Sequence, residues 1–192
     1  MKVLLYGKHG WIGQKVYDLL IKNNHEVIVG NTRAEDFEGL EEEIKNVQPT
    51  NIISTIGRTH GTIEGVNYTT IDYLEQKGKL RENIRDNLYS PTILAIISKK
   101  YGIHYAYLGT GCIFTYDDIH QDGFGEQDLP NFFGSSYSIV KGFTDRLMHL
   151  YNDSVLNLRI RMPITGSKNP RNFITKITNY IGCSINCCRS II

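Results

Sequence analysis

Lys2-Val3-Leu4-Leu5-Tyr6-Gly7-Lys8-His9-Gly10-Trp11-Ile12-Gly13 opens the chain with a short apolar run followed by a GxxGxxG turn. The run predicts a buried strand over 2–6. Val16 to Ile21 then carries apolar residues at helical spacing and is stopped by Asn23-Asn24. The glycines therefore fall between a strand and a helix. Glycine there permits a tight turn, lets backbone approach a pyrophosphate and lets the helix pack on the strand. The helix N-terminus beyond the turn offers N–H groups and a positive dipole end to phosphates. A glycine-rich turn without a ligand has the same spacing. Its position between strand and helix favours a dinucleotide site built on Gly7, Gly10, Trp11, Ile12 and Gly13.

Outward from this turn, short Val/Ile/Leu runs predict strands over 27–29, 51–56, 104–108 and 155–160. Helices are predicted over 40–47, 73–88, 91–100 and 136–151, with a break at Ser90-Pro91. Residues 58–70 read as loop. Residues 115–134, rich in Asp, Gly and Pro, read as a long loop of the functional kind, whose acidic Asp117, Asp118, Glu126 and Asp128 read as solvated. Strands that alternate with helices, and that are apolar throughout, belong in a sheet covered on both faces. The expected fold is α/β, a Rossmann-like doubly wound parallel sheet with the beginning of a small substrate lobe. Residues 1–165 are expected to form the dinucleotide domain, and 166–192 the start of the lobe.

Composition narrows the function classes. The 192 residues carry 21 Lys+Arg against 20 Asp+Glu, a formal net charge of +1, with no dense basic run. Nucleic acid is not an expected partner. No apolar stretch approaches the roughly 18 residues of a membrane span, and the first apolar run is shorter than the roughly 7–15 residues of a signal-peptide core. A cytoplasmic protein is expected. Of four cysteines, Cys183, Cys187 and Cys188 fall in the last ten residues and Cys112 stands alone. That is not the distribution of a disulfide framework, and without a nearby histidine the cluster lacks the ligands of a zinc site.

The tip of the second strand reads Val29-Gly30-Asn31-Thr32-Arg33. No carboxylate stands there to bind a ribose 2′-hydroxyl, and Arg33 suits a 2′-phosphate, so NADPH is expected over NADH. A solvated surface arginine is the alternative. Tyr137-Ser138-Ile139-Val140-Lys141 places a phenol and an amine four residues apart on one helical face. An ammonium beside a phenol is expected to lower the phenol's pKa and make it a proton donor to a carbonyl oxygen. Thr110, after the strand ending near Leu108, is placed to hydrogen-bond the same oxygen. An ordinary amphipathic helix face has the same YxxxK spacing, but its combination with the N-terminal glycine turn is more specific.

These residues resemble the extended short-chain dehydrogenase/reductases, and within them the nucleotide-rhamnose synthase epimerase/reductases. The resemblance is carried by Gly7-Lys8 with Gly10-Trp11-Ile12-Gly13, by Thr110-Gly111-Cys112-Ile113-Phe114 with Tyr116-Asp117-Asp118, and by Pro130-Asn131-Phe132. It continues through Arg161-Met162-Pro163-Ile164 and Asn169-Pro170-Arg171-Asn172-Phe173-Ile174-Thr175-Lys176-Ile177, and runs from about residue 2 to 180. It implies a 3,5-epimerase and 4-keto reductase acting on UDP- or dTDP-4-keto-6-deoxyglucose with NADPH. It further implies that Cys112 and Lys176 are the acid/base pair of epimerisation, and that Thr110, Tyr137 and Lys141 serve reduction. Pro163 joins the cofactor contacts, and Asn87, Arg171 and Asn172 are expected to bind substrate. From residue types alone, Cys112 also reads as a small buried hydrophobe and Lys176 as a helix surface charge, Arg171 and Asn172 as a structural Pro-Arg-Asn turn, and Asn87 as a support of the Tyr–Lys pair through water or a helix cap.

The family's domain is longer than this chain. Beyond Tyr180 the text no longer aligns, and the cysteine-rich end reads as an aberrant tail on a shortened product. A non-catalytic NADP(H)-binding sensor or partner subunit is the alternative to an enzyme. A homodimer is compatible with either.

Overall fold

A computed structural model of the chain describes residues 1–179. Five parallel strands form the central sheet: β1 (Lys2–Tyr6), β2 (Glu26–Val29), β3 (Asn51–Ser54), β6 (His104–Thr110) and β7 (Val155–Ile160), in the order β2-β1-β3-β6-β7. Leu4 pairs with Ile28 on one side and Ile52 on the other, Ile52 with Tyr105, and Tyr105 with Val155. The helices are α1 (Trp11–Lys22), α2 (Phe37–Val47), α3 (Leu80–Ile84), α4 (Ser90–Tyr101), α5 (Ser136–His149) and α6 (Phe173–Asn179). The core joins Leu4, Tyr6, Ile52, Tyr105 and Tyr107 of the sheet to Leu40 and Ile44 of α2, Ile93, Leu94 and Ile97 of α4 and Met148 of α5. The expected Rossmann-like parallel sheet is what forms.

The chain leaves β1 toward β2 on one side and returns to β3 on the other, so the strand order reverses between β1 and β3. In open α/β sheets, ligands bind outside the carboxyl ends of the strands at such a point. The glycine turn lies at this point. Thr55, just past β3, ties the two strand ends together by donating its hydroxyl toward the carbonyls of Tyr6 (3.2 Å) and Gly7 (3.1 Å).

Three expectations fail, the first being the continuous helix over 73–88, which residues 76–79 interrupt with Gly78 at φ of 82°. Residues 58–70 are not all loop. β4 (Gly61–Ile63) and β5 (Val66–Tyr68) form an antiparallel hairpin whose turn residues, Glu64 and Gly65, have φ of 48° and 82°. Two residues at positive φ are what a tight hairpin with matching twist requires. The third failure is the break at Ser90-Pro91. A 3-10 turn covers Ile71–Glu75, but from Leu80 to Tyr101 the chain stays helical, with a π-helical turn over Arg85–Tyr89 feeding directly into α4. Proline has no N–H and cannot pair with the carbonyl four residues back. That carbonyl belongs to Asn87, and the buried Thr144 hydroxyl of α5 donates to it at 2.6 Å. The π turn absorbs the proline, and α5 satisfies the freed acceptor.

The loop over 111–135 has no regular structure but is anchored. Arg159 of β7 donates from Nη1 to the Gly125 carbonyl and from Nη2 to the Asp128 carbonyl, both at 3.0 Å, while its Nε and Nη2 also grip the buried Asp145 of α5 at 2.8 Å. Phe124 stacks between Phe114 and His120, each with ring centroids 4.4 Å away.

Thr144→Val keeps the shape of the side chain and removes the donor to Asn87. Urea unfolding is expected to show a loss of about 1–3 kcal/mol, the cost of an unpaired buried carbonyl. An unchanged midpoint would mean that the π turn satisfies itself.

Candidate active site

The glycine turn is closed by packing that only glycine allows. Gly7 has φ of 84°, and its carbonyl accepts the N–H of Gly10 at 3.0 Å. A Cβ on Gly13 would run into that same carbonyl. The helix therefore starts with its first turn pressed onto the end of β1. Gly10 caps it without a side-chain hydrogen bond, which leaves the first N–H groups facing the crevice. This is a backbone cradle of the kind that holds a dinucleotide pyrophosphate, and the residues present fit that group. Trp11 and Ile12 are half-buried in the first turn of α1.

Arg33 lies past the end of β2, as expected, but it is not a lone cation. Its Nε and Nη2 bind Glu35 at 3.0 and 2.7 Å. Glu35 also lies 3.9 Å from Arg85, and Arg85 and Arg58 both grip Asp86. Burial acts to raise the pKa of Glu35, and the arginines overcome it and hold that pKa below the usual value. Sequence reasoning missed this carboxylate because it stands two residues beyond the strand tip. The cluster of Arg33, Arg58 and Arg85 against Glu35 and Asp86 retains one positive charge in excess.

The second group of residues meets at the end of β6 and the start of α5. Thr110 is the last residue of β6, and its hydroxyl accepts the N–H of Cys112 at 3.1 Å. Ser135 caps α5 by accepting the N–H of Ser138 at 3.0 Å, and the Ser138 hydroxyl donates to the Cys112 carbonyl at 2.7 Å. The cysteine backbone is thereby pinned to the first turn of the helix that bears Tyr137. Ser138 was not singled out in the sequence, although it is the residue after Tyr137 in the YxxxK motif. Cys112 is a half-buried free thiol packed with Tyr137, Tyr73 and Leu74.

Lys141, one turn along, is buried. Its Nζ donates to the Leu108 carbonyl at 3.1 Å and meets the hydroxyl of Tyr107. The expected lowering of the Tyr137 pKa by Lys141 is not what the structure gives. Burial raises the phenol, the charge of Cys112 raises it further, and the Thr110 hydroxyl pulls in the opposite direction. Lys141 is itself pushed down to about 7 by burial, against the pull of Asp145 and Cys112. An amine this desolvated carries its charge only in part near neutrality, and its hydrogen bonds go to β6.

The remaining expected residues are separate from this cluster. The amide of Asn87 is committed to the loop after β3: its Oδ1 accepts the Arg58 N–H at 3.0 Å, and its Nδ2 donates to the Arg58 carbonyl and to Asn83, both at 2.9 Å. It holds that loop rather than reaching toward a substrate. Asn172 is likewise internal, donating to the carbonyls of Thr165 (2.7 Å) and Ser167 (3.0 Å). Pro163 accepts the N–H of Phe173 at 3.4 Å. Arg171 is exposed and meets His60 Nε2 at 2.7 Å, and so joins its segment to the loop before β4. Lys176 is exposed on α6, and among the described residues no hydrogen bond or ion pair joins it to Cys112. Cys183, Cys187 and Cys188, and the expected tail, lie outside the described residues. Among those described, no group of three His, Cys, Asp or Glu is placed to hold a metal, and no helix is long and apolar enough to cross a membrane.

The glycine turn at the switch point and the Tyr137/Lys141 pair where β6 meets α5 sit on a Rossmann-like doubly wound α/β fold. Among known proteins, the chain is similar to nucleotide-rhamnose epimerases and reductases. The crystal structure of a UDP-rhamnose synthase from Acanthamoeba polyphaga mimivirus matches with a TM-score of 0.88 at 56% identity, over 94% of this chain and 62% of that one. A trifunctional UDP-glucose 4,6-dehydratase/UDP-4-keto-6-deoxy-D-glucose 3,5-epimerase/UDP-4-keto-L-rhamnose-reductase from Arabidopsis thaliana is 38% identical over 94% of this chain and 26% of its own length. A bifunctional dTDP-4-dehydrorhamnose 3,5-epimerase/dTDP-4-dehydrorhamnose reductase from the same plant is 36% identical over 92% of this chain and 57% of its own. The chain thus spans less than two thirds of the length of these relatives. No family model matches it.

The buried amine makes stability depend on pH. Lys141 has a pKa of about 7 in the fold against 10.5 for an ordinary lysine, so between these values the unfolded chain binds the extra proton. Stability from this group therefore rises with pH through that window, and the cost is fully present below it. Lys141→Met is expected to melt above the wild type at about pH 6.5, with the difference shrinking as pH approaches 10. A difference that is constant with pH would contradict the burial of the amine.

Proposed function

We propose that this chain carries the epimerase and reductase chemistry of nucleotide-L-rhamnose formation, acting on a UDP- or dTDP-linked 4-keto-6-deoxyglucose with NADPH. The reading is carried by one observation: Thr110, Cys112, Tyr137 and Lys141 are fastened together where β6 ends and α5 begins, on the same sheet edge as the glycine cradle. The relatives' activities support the choice of substrate. Residues 1–165 would hold the dinucleotide, and the segment from 166 would begin the sugar-facing part.

A ketone at C4 acidifies the protons at C3 and C5, because the carbanion left behind delocalises into the carbonyl. Inversion then needs a base on one face and an acid on the other. In this reading the Cys112 thiol and the Lys176 amine take those roles, with α6 bringing the lysine to the sugar. Reduction comes last, since it removes the ketone on which the proton exchange depends. NADPH, held by the glycine turn at Gly7, Gly10 and Gly13, would supply the hydride to C4. Tyr137, which burial keeps protonated at neutral pH, gives its proton to the C4 oxygen, and the Thr110 hydroxyl donates a hydrogen bond to the same oxygen. Lys141 stabilises the phenolate that forms.

Incubation with NADPH and UDP-4-keto-6-deoxyglucose in deuterium oxide is expected to consume the reduced nicotinamide and place deuterium at C3 and C5. Cys112→Ala is expected to lose the exchange while retaining cofactor binding. Tight NADPH binding by the wild type with neither exchange nor oxidation would instead identify a non-catalytic binder.

The choice of NADPH rests on the positive excess around Arg33. Arg33→Ala is expected to weaken NADPH binding about tenfold, the loss of one charge-assisted contact, and to leave NADH binding unchanged. Equal losses for both cofactors would contradict a 2′-phosphate contact.

A further inference from the structure

Tyr107 belongs to no motif noted in the sequence and has no part in the mechanism above. It is fully buried in β6, yet its hydroxyl is the partner of the Lys141 amine. Its ring lies against the same group, with Nζ 4.5 Å from the ring centroid. The other partner of Nζ is the Leu108 carbonyl at 3.1 Å, which can only accept. A phenol hydroxyl accepts from an ammonium and donates to a neutral amine, so Tyr107 can keep its contact through a change in the charge of Lys141.

The other charged or titratable groups around the amine are accounted for. Asp145, one turn along α5, has its oxygens on Arg159 (2.8 Å) and Asn157 (2.7 Å) and lies 3.6 Å from His149. Cys112 follows β6 and is held through its carbonyl by Ser138. Tyr137 lies one turn back on α5. On β6 itself, the Tyr105 ring is tilted against Tyr107, with centroids 6.5 Å apart. Of these side chains, Tyr107 alone hydrogen-bonds Nζ.

We propose that Tyr107 is a positioning residue for the reduction: its hydroxyl and ring fix the Lys141 amine against β6 and so set how far the lysine's charge reaches the Tyr137 phenol. This role rests on the reductase reading, in which Tyr137 donates the proton. Burial raises Tyr107 well above the ordinary phenol range, so its hydroxyl keeps its proton and acts as a neutral dipole. A neutral oxygen that accepts from the ammonium favours the charged amine.

Tyr107→Phe removes that oxygen and keeps the ring, so the core volume is nearly unchanged. In the reductase assay, the alkaline limb of the kcat profile is expected to move down by about 0.5–1 pH unit. At about pH 8, kcat should fall about tenfold, with KM for the sugar nucleotide held within about twofold. A role in packing alone would move the melting temperature but not the profile. A second readout needs no turnover. In protein labelled with 13C at lysine Cε, with the Lys141 signal assigned through Lys141→Met, Tyr107→Phe is expected to lower the midpoint of that signal. An unchanged midpoint and an unchanged kcat profile would overturn the proposal. If the wild type does not reduce the sugar, the reductase reading fails, and the NMR midpoint alone decides whether Tyr107 holds the amine.

Discussion

The site is organised by the burial of one amine between a strand and a helix. Lys141 reaches from α5 into the sheet and ends on the Tyr107 hydroxyl and the Leu108 carbonyl. A desolvated lysine is tolerated only where its N–H groups find acceptors, so α5 can pack on β6 in few registers. That register is reinforced at the start and in the middle of the helix. The Ser135 cap and the Ser138 contact pin its start to Cys112, and Asp145 ties its middle to Arg159 and, through Arg159, to the loop over 111–135. Thr110, Cys112 and Tyr137 take their mutual positions from this packing.

The glycine cradle is independent of that packing but is built on the same sheet edge. Its geometry comes from Gly7 and Gly13, whose close approach seats α1 on the end of β1, and from Thr55, which links β1 to β3 at the strand reversal. Parallel strands put both constellations on the edge formed by their carboxyl ends. A doubly wound sheet can therefore bring a residue near 10 and a residue near 140 to one crevice without either sequence region signalling the other. The loop after β3, held by the Asn87 amide, lies between them and carries Arg58 into the cluster around Asp86 and Glu35.

The five parallel strands were legible because each is a short apolar run bounded by glycine or a polar pair, and the glycine turn was legible because its spacing is tied to backbone contact. The hairpin over 61–68 was not, since three-residue strands carry almost no alternation and its turn is Glu64-Gly65 rather than the commoner Asn-Gly. Pro91 misled because its usual consequence, a helix break, is avoided by a hydroxyl from Thr144, fifty-three positions away in the sequence. In the site, motif spacing was readable and electrostatics were not. Tyr137 and Lys141 fall one turn apart on α5 as their spacing predicts, but burial dominates both, and no spacing rule reports how dry a helix–strand interface will be. Asn87 and Asn172 read from sequence either as ligand contacts or as structural residues, and their amides are used as internal fasteners. Glu35 was overlooked because it stands beyond the strand tip, and Tyr107 because its importance comes from a partner distant in the sequence, Lys141.

The measurement that bears most directly on this account is a crystal structure of the chain with NADP and the nucleotide-linked 4-keto sugar both bound. The account predicts the C4 oxygen within hydrogen-bonding distance of both the Tyr137 and Thr110 hydroxyls, the nicotinamide face against C4, and the pyrophosphate over the first turn of α1. A sugar whose C4 oxygen is turned away from Tyr137, with the nicotinamide on the far side of the ring, would contradict it.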